Sequence, residues 1–126
     1  MKRVLFVLLA GTCLTACSKN SVTQRDNILP VISLSSPADG QVFSPGQPIP
    51  VTGGITDNDR IAEVHIHVYN TANNALLMDV HLHPASSSAT FSESLTAMTG
   101  INYKIQVIAI DKAVNQAYKT VEVSCN

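Results

Sequence analysis

The sequence predicts an all-β domain, an antiparallel sandwich of about seven strands, and three observations carry that prediction. Apolar and polar residues alternate on a single parity in run after run, the period-two signature of strands with one buried face. Turn-forming clusters such as Pro37-Ala38-Asp39-Gly40, Ser44-Pro45-Gly46 and Thr99-Gly100 break the runs at intervals of about 8–12 residues. No helical period recurs beyond the first 16 residues. Two facing sheets are the economical way to bury so many one-sided strands, and about 100 residues can form such a core without disulfides.

The N-terminus stands apart from the domain. Lys2 and Arg3 precede a short apolar run, residues 4–10, and Leu14-Thr15-Ala16-Cys17 follows. The apolar run is too short to span a bilayer. Small residues before a cysteine, directly after such a run, resemble the lipobox of bacterial lipoproteins, where signal peptidase cuts before the cysteine and acyl chains, palmitate among them, are added. The resemblance implies a signal peptide over residues 1–16, lipidation at Cys17 and a membrane as the first partner. Each buried CH₂ of such an anchor contributes about 0.8 kcal/mol. Ser18, in place of an aspartate, implies the outer membrane, with the chain facing the periplasm. Residues 17–27 read as a lipidated tether and residues 28–126 as the sandwich domain. The ten polar residues after Cys17 reach at most about 35 Å.

Removing the leader takes Lys2 and Arg3 from the eight Lys and Arg, leaving six against nine Asp and Glu, a net charge of −3. There is no basic patch, which excludes nucleic acid as a partner. Of the three cysteines, Cys13 leaves with the signal and Cys17 takes the lipid, so Cys125 has no intramolecular disulfide partner. It is expected as a small apolar residue at the end of the last strand.

Within the domain, residues 29–34 form a first strand with Pro30 near its start, where a missing N–H is tolerated on an edge. Residues 41–43 are a brief extended piece. Ile49, Val51, Gly53 and Ile55 alternate with Pro50, Thr52, Gly54 and Thr56 in a second strand whose glycines suggest a bulge. Asp57-Asn58-Asp59 reads as a polar turn. Two strands follow, residues 62–69 and 78–83, then a loop at residues 84–88 and a strand through Ala89, Phe91 and Leu95. Tyr103, Ile105, Val107 and Ala109 share one parity in the longest and most apolar strand, expected to be central. After a loop at residues 111–115, Ala117, Val121 and Val123 face inward from the last strand.

Residues 29–124 resemble the bacterial immunoglobulin-like domains of secreted and surface proteins, as carried by hairpin-rich lipoproteins of Bacteroidetes. The opening Ser36-Pro37-Ala38-Asp39-Gly40 matches their Ser-Pro-x-Asp-Gly. Their penultimate strand, Gly-x-x-Tyr followed by alternating apolar residues to Ala-x-Asp, matches Gly100 to Asp111, and their Ala-x-Asn matches Ala113-Val114-Asn115. The family usually has glycine where Val114 stands. The resemblance implies an immunoglobulin-like sandwich in which Tyr103 bonds its hydroxyl to backbone upstream. It implies a fold and an address rather than a reaction.

Two constellations could carry chemistry. Val64, Ile66 and Val68 occupy one parity of the first hairpin strand, and Val80 and Leu82 one parity of the second. The opposite parity carries His65, His67 and Tyr69, then Asp79, His81 and His83, so all four histidines turn away from the core. Two registers fit: His65 opposite His83 with His67 opposite His81, or His65 opposite His81 with Asp79 near His67 and Glu63 near His83. Directly opposed side chains have Cβ atoms about 5 Å apart, a spacing at which two imidazoles can share zinc or copper. Asp79 or Glu63 would serve as a further ligand or a supporting partner. Second, Asp57, Asp59 and Asp111 lie in loops that an immunoglobulin-like sandwich brings to the same end, and carboxylates with Asn and carbonyl oxygens are what Ca²⁺ takes.

Enzyme signatures are missing. Ser86, Ser87 and Ser88 near His83 and Asp79 lack a nucleophile elbow and oxyanion hole. There is no phosphate-binding glycine loop and no Cys-x-x-Cys. With no Trp and three Tyr, a stacking platform for carbohydrate is not expected. The expectation is a lipid-anchored binding or structural module of the cell envelope, meeting the membrane and an envelope protein, without catalytic activity. The alternative is a periplasmic Zn- or Cu-binding protein using His65, His67, His81 and His83.

Overall fold

The computed structural model describes residues 23–126, so Cys17 and the lipidation expected there lie outside the described residues. Every regular element among them is a strand: β1 (Val31–Ser36), β2 (Val42–Phe43), β3 (Pro48–Asn70), β4 (Leu76–Leu82), β5 (Ser86–Thr96), β6 (Asn102–Asp111) and β7 (Gln116–Cys125). The expected immunoglobulin-like antiparallel β-sandwich is the fold observed.

β3 organises the rest. Residues 48–56 of it lie between β1 and β5, and residues 61–70 between β4 and β6. β7 continues beyond β6, and β2 closes that edge by pairing parallel to β7. The sheet thus curls so that its apolar parities meet. Ile49, Val51 and Ile55 from the first half of β3 join Val64, Ile66 and Val68 from the second, with Phe91, Ile105, Val107, Val121 and Val123. Burying such side chains supplies about 1.5–3 kcal/mol each.

The turn expected at Asp57-Asn58-Asp59 is instead part of one 23-residue strand. The flanking segments belong to different halves of the curled sheet and do not pair with each other, so no hairpin is required between them. The register against β5 breaks between Thr56 and Ile61, where the chain crosses. The loop expected at residues 84–88 is shorter than predicted for a related reason. The extended β3 offers backbone partners beyond the core, and Ser88 and Ser86 pair with Thr56 and Ile61.

Gly53 is required by packing. A Cβ there would collide with the carbonyl oxygen of Ser33 and the ring of Phe91. The irregularity its glycines suggested falls on the partner strand, between Leu34 and Ser36 of β1. Tyr103 is buried, and its hydroxyl accepts a 2.8 Å hydrogen bond from the Met98 N–H, the upstream backbone bond its position implies. Cys125 is buried at the end of β7, in the apolar role expected of it. Val114 adopts a left-handed conformation, φ 68°, in the β6–β7 loop, the region of backbone that favours glycine.

Candidate metal centre

The second half of β3 pairs with β4 so that Val64 faces Leu82, His65 faces His81, Ile66 faces Val80 and His67 faces Asp79. This is the second of the two registers compatible with the sequence. The alternation puts Val64 and Ile66 in the core, which leaves His65 and His67 on the outer surface. One ring nitrogen from each of His65, His67 and His81 lies within 4.8 Å of the others. Two nitrogens on one Zn²⁺ stand at most about 4.2 Å apart, so small side-chain rotations would bring the three onto a single ion. The His65 and His81 rings stack with centroids 4.1 Å apart, and the His67 ring is tilted 5.8 Å from His65.

Strand position decides exposure. β3 is flanked on its other side by β6, where Ile108 stands opposite His65 and Gln106 opposite His67. These neighbours leave the His65 and His67 side chains 19% and 17% exposed, against 49% for His81 on the edge strand β4. The cluster therefore has a sheltered wall and an open side.

Carboxylates already hold the rings. Asp79 Oδ1 is 3.2 Å from His67 Nε2 and 2.9 Å from His81 Nε2, and Glu63 Oε2 is 2.9 Å from His65 Nε2. Glu63 and Asp79 accept hydrogen bonds from the His65 and His81 Nε2–H groups, whereas His67 Nε2 meets Asp79 at ion-pair distance only. The Tyr69 hydroxyl lies 3.3 Å from His67 Nδ1, on the far side of that ring. A metal taking His67 through Nε2 would leave the proton on Nδ1, which would donate to the Tyr69 hydroxyl. Such an outer partner fixes the tautomer and orientation of a ligating imidazole. Tyr69 is held in turn beneath Lys104, whose ammonium sits 4.8 Å from its ring centre.

His83, expected in the same patch, is not among the grouped ligands. It lies beyond the end of β4, one residue past Leu82, the last residue paired with β3. Asp79 is brought to the cluster. The expected Glu63–His83 approach is replaced by Glu63 on His65, two residues along the same strand.

The acidic residues assemble at the other end of β3's second half. Asp26, Asp57 and Asp111 each offer an oxygen within 4.8 Å of the others. Asp59, expected with Asp57 and Asp111, is exposed and contributes only its backbone N–H, 3.1 Å from Asp57 Oδ2. Asp26 takes its place. It belongs to the segment read as a tether, and no feature of its immediate sequence marks it. The Asn58 amide donates to Asp26 Oδ2 at 2.9 Å and the Asn115 amide to the Asp26 carbonyl at 3.1 Å, docking the segment on the loops. The Ile28 N–H, then the Asn58 amide, hold the Asp26 carboxyl below the usual carboxylate range.

The profile of the bacterial Ig domain family matches residues 30–123. No curated protein matches the sequence. Among solved structures, the fibronectin(III)-like modules of CbhA from Clostridium thermocellum are similar, with 16% identity and a TM-score of 0.53 over 75% of this chain and 94% of theirs. A superoxide reductase (neelaredoxin) from Ignicoccus hospitalis is similar, with 15% identity and a TM-score of 0.52 over 79% of this chain and 81% of its own. OgpA from Akkermansia muciniphila matches with 10% identity and a TM-score of 0.51, over 74% of this chain but only 27% of its own. At these identities the likeness is one of fold.

The expectation of a module without catalytic activity does not stand. The absent serine elbow, phosphate loop and paired cysteines bear on covalent and phosphoryl chemistry, not on chemistry at a metal. The grouped imidazoles are a donor set able to hold one. Fold, strand pattern and matched span agree: the chain belongs to the bacterial Ig domain family.

Proposed function

We propose that this domain is a metal-binding module that holds a first-row transition-metal ion on the outer face of the β3–β4 hairpin. His65, His67 and His81 are the ligands, and Asp79 is the fourth donor. The supporting observation is the convergence of three ring nitrogens within 4.8 Å on two adjacent strands in a single register. Imidazole suits zinc, copper, iron and nickel alike, so the donor set names a class of ion rather than one member. Three imidazoles and Asp79 fill a tetrahedral shell, and an exchangeable ligand would enter from the open side where Asp79 yields its place.

Calorimetric titration of metal-stripped protein with Zn²⁺, and separately with Cu²⁺, tests this. One ion should bind per chain with Kd of about 1 μM or tighter, equivalent to about 8 kcal/mol. Replacing His65 and His67 together by alanine should abolish that binding, whereas His83→Ala should change it by less than about threefold. Acidification should release the ion, because protons compete for the ligating nitrogens. Absence of binding tighter than about 100 μM, with the protein folded, would sink the reading.

We further propose that the domain works at the cell envelope, held by acyl chains on Cys17. Support comes from the order of charged residues, apolar run and lipobox in residues 1–17. Mass spectrometry of the mature N-terminus should find acylated Cys17, and Cys17→Ala should release the protein from membranes. An unmodified cysteine would refute the anchor.

A further inference from the structure

The three carboxylates at the loop end form a second constellation, chemically unlike the first. Asp111 is 2% exposed, and both its oxygens are engaged by Asn115: the backbone N–H donates to Oδ1 at 2.7 Å and the side-chain amide to Oδ2 at 2.6 Å. Asp57 uses Oδ2 to accept from the Asp59 N–H, while its Oδ1 is sealed from solvent with no hydrogen-bond partner. A sealed carboxylate oxygen without a donor is costly, and here it belongs to a group with two further carboxylates within 4.8 Å.

No compensating side-chain cation is found among the described residues. Among the described residues, every ion pair lies in the histidine patch and none involves Asp26, Asp57 or Asp111. Arg25, beside Asp26 in sequence, directs its guanidinium to the carbonyl of Ala113 at 3.2 Å. The donors are all hard oxygens, the ligand class of Ca²⁺ and Mg²⁺. Opposite oxygens on Ca²⁺ stand about 4.6–5.2 Å apart and on Mg²⁺ about 4.0–4.2 Å, from their bond lengths. The three oxygens all lie within 4.8 Å of one another, close enough to share one such ion, and a set of protein carboxylates on loops suits the flexible, all-protein coordination of Ca²⁺ better than octahedral, water-keeping Mg²⁺.

We propose that Asp26, Asp57 and Asp111 form a Ca²⁺ site that fastens the chain preceding the sandwich to its loop end. Asp57 comes from the crossing point of β3, Asp111 from the end of β6 and Asp26 from the segment before β1. An ion shared by the three therefore ties that segment to the domain, and the orphaned oxygen of Asp57 gains its partner. The site is independent of the imidazoles and persists whether or not they bind metal.

The test is titration of chelator-treated protein with Ca²⁺, followed by calorimetry and by trypsin cleavage after Arg25. The expected Kd is about 10⁻⁴–10⁻³ M, the range of extracellular calcium modules. Saturating Ca²⁺ should slow cleavage after Arg25 at least tenfold, and Mg²⁺ should not. Asp57→Asn should weaken binding at least tenfold. Asp26→Asn, a nearly isosteric change at a half-buried position outside the strands, should weaken binding and abolish the protection. The double variant His65→Ala, His67→Ala should keep both. No binding by 10 mM Ca²⁺ would overturn the proposal. Binding that Asp26→Asn leaves untouched would overturn the fastening.

Discussion

The histidine patch and the acidic cluster are two answers to collecting like side chains. The patch is made by one strand pairing: β3 and β4 are adjacent in sequence, and a single register brings His65, His67, His81 and Asp79 together. Its polar groups are partnered locally, with Glu63 and Asp79 against the ring nitrogens. The acidic cluster is made by topology: residues 26, 57 and 111 meet only once β1, β3 and β6 are in place. Among the described residues it has no ion-pair partner, and it leaves one oxygen unpaired. The patch is therefore comfortable without an ion, whereas the cluster is incomplete. Removing side chains from the first should cost affinity, and from the second should also move stability.

The largest effect expected breaks both regions together. Ile66 is fully buried between His65 and His67, and Ile66→Ala should lower unfolding free energy by about 2–5 kcal/mol. Chemical denaturation should show this with both binding activities lost above the transition. Next is Asp111→Ala, which removes a buried carboxylate accepting two hydrogen bonds from Asn115. It should cost about 2–4 kcal/mol, whereas His81→Ala, on the exposed edge strand, should cost less than about 1 kcal/mol. Equal costs would erase the distinction between the two regions.

Val114 provides a gain in the opposite direction. Its φ of 68° is unfavourable for a β-branched residue, and it is 66% exposed, so no packing compensates. Val114→Gly should stabilise the domain by about 1 kcal/mol and be seen as a raised melting temperature. The smallest effect is the pH dependence carried by Asp26. Its carboxyl is held below the ordinary range by the Ile28 N–H and the Asn58 amide. Its contribution is therefore present above the unfolded value near about 3.9 and is lost as pH falls through the lower folded value. Asp26→Asn should flatten that acid limb slightly in pH-dependent denaturation; an unchanged limb would show that these hydrogen bonds do not persist in solution.

Parity explains what was legible. Alternation in residues 62–69 and 78–83 was enough to place the histidines outward, because a one-residue slip would bury charge and expose valine. The choice between two registers was not legible, since both keep parity, and it decided that His83 stands outside. The difference between sheltered His65 and open His81 needed β6 as the neighbour of β3, a long-range fact. Asp57 and Asp111 could be placed at one end from strand order, but Asp59 and Asp26 could not be told apart in advance. Asp26 sits in a polar run without periodicity, and only its hydrogen bonds to Asn58 and Asn115 distinguish it. The continuity of β3 through Asp57-Asn58-Asp59 escaped for the opposite reason: those residues are good turn formers, overruled by the direction the chain had to take.

That continuity has a thermodynamic consequence. One strand supplies hydrogen bonds to four others, which couples the opening of one half of the sandwich to that of the other. Amide exchange along residues 48–70 should report a single global opening rather than two separable ones. An ion captured anywhere along this shared ribbon would slow exchange throughout, because stabilisation by mass action is distributed by the strand to the entire cooperative unit.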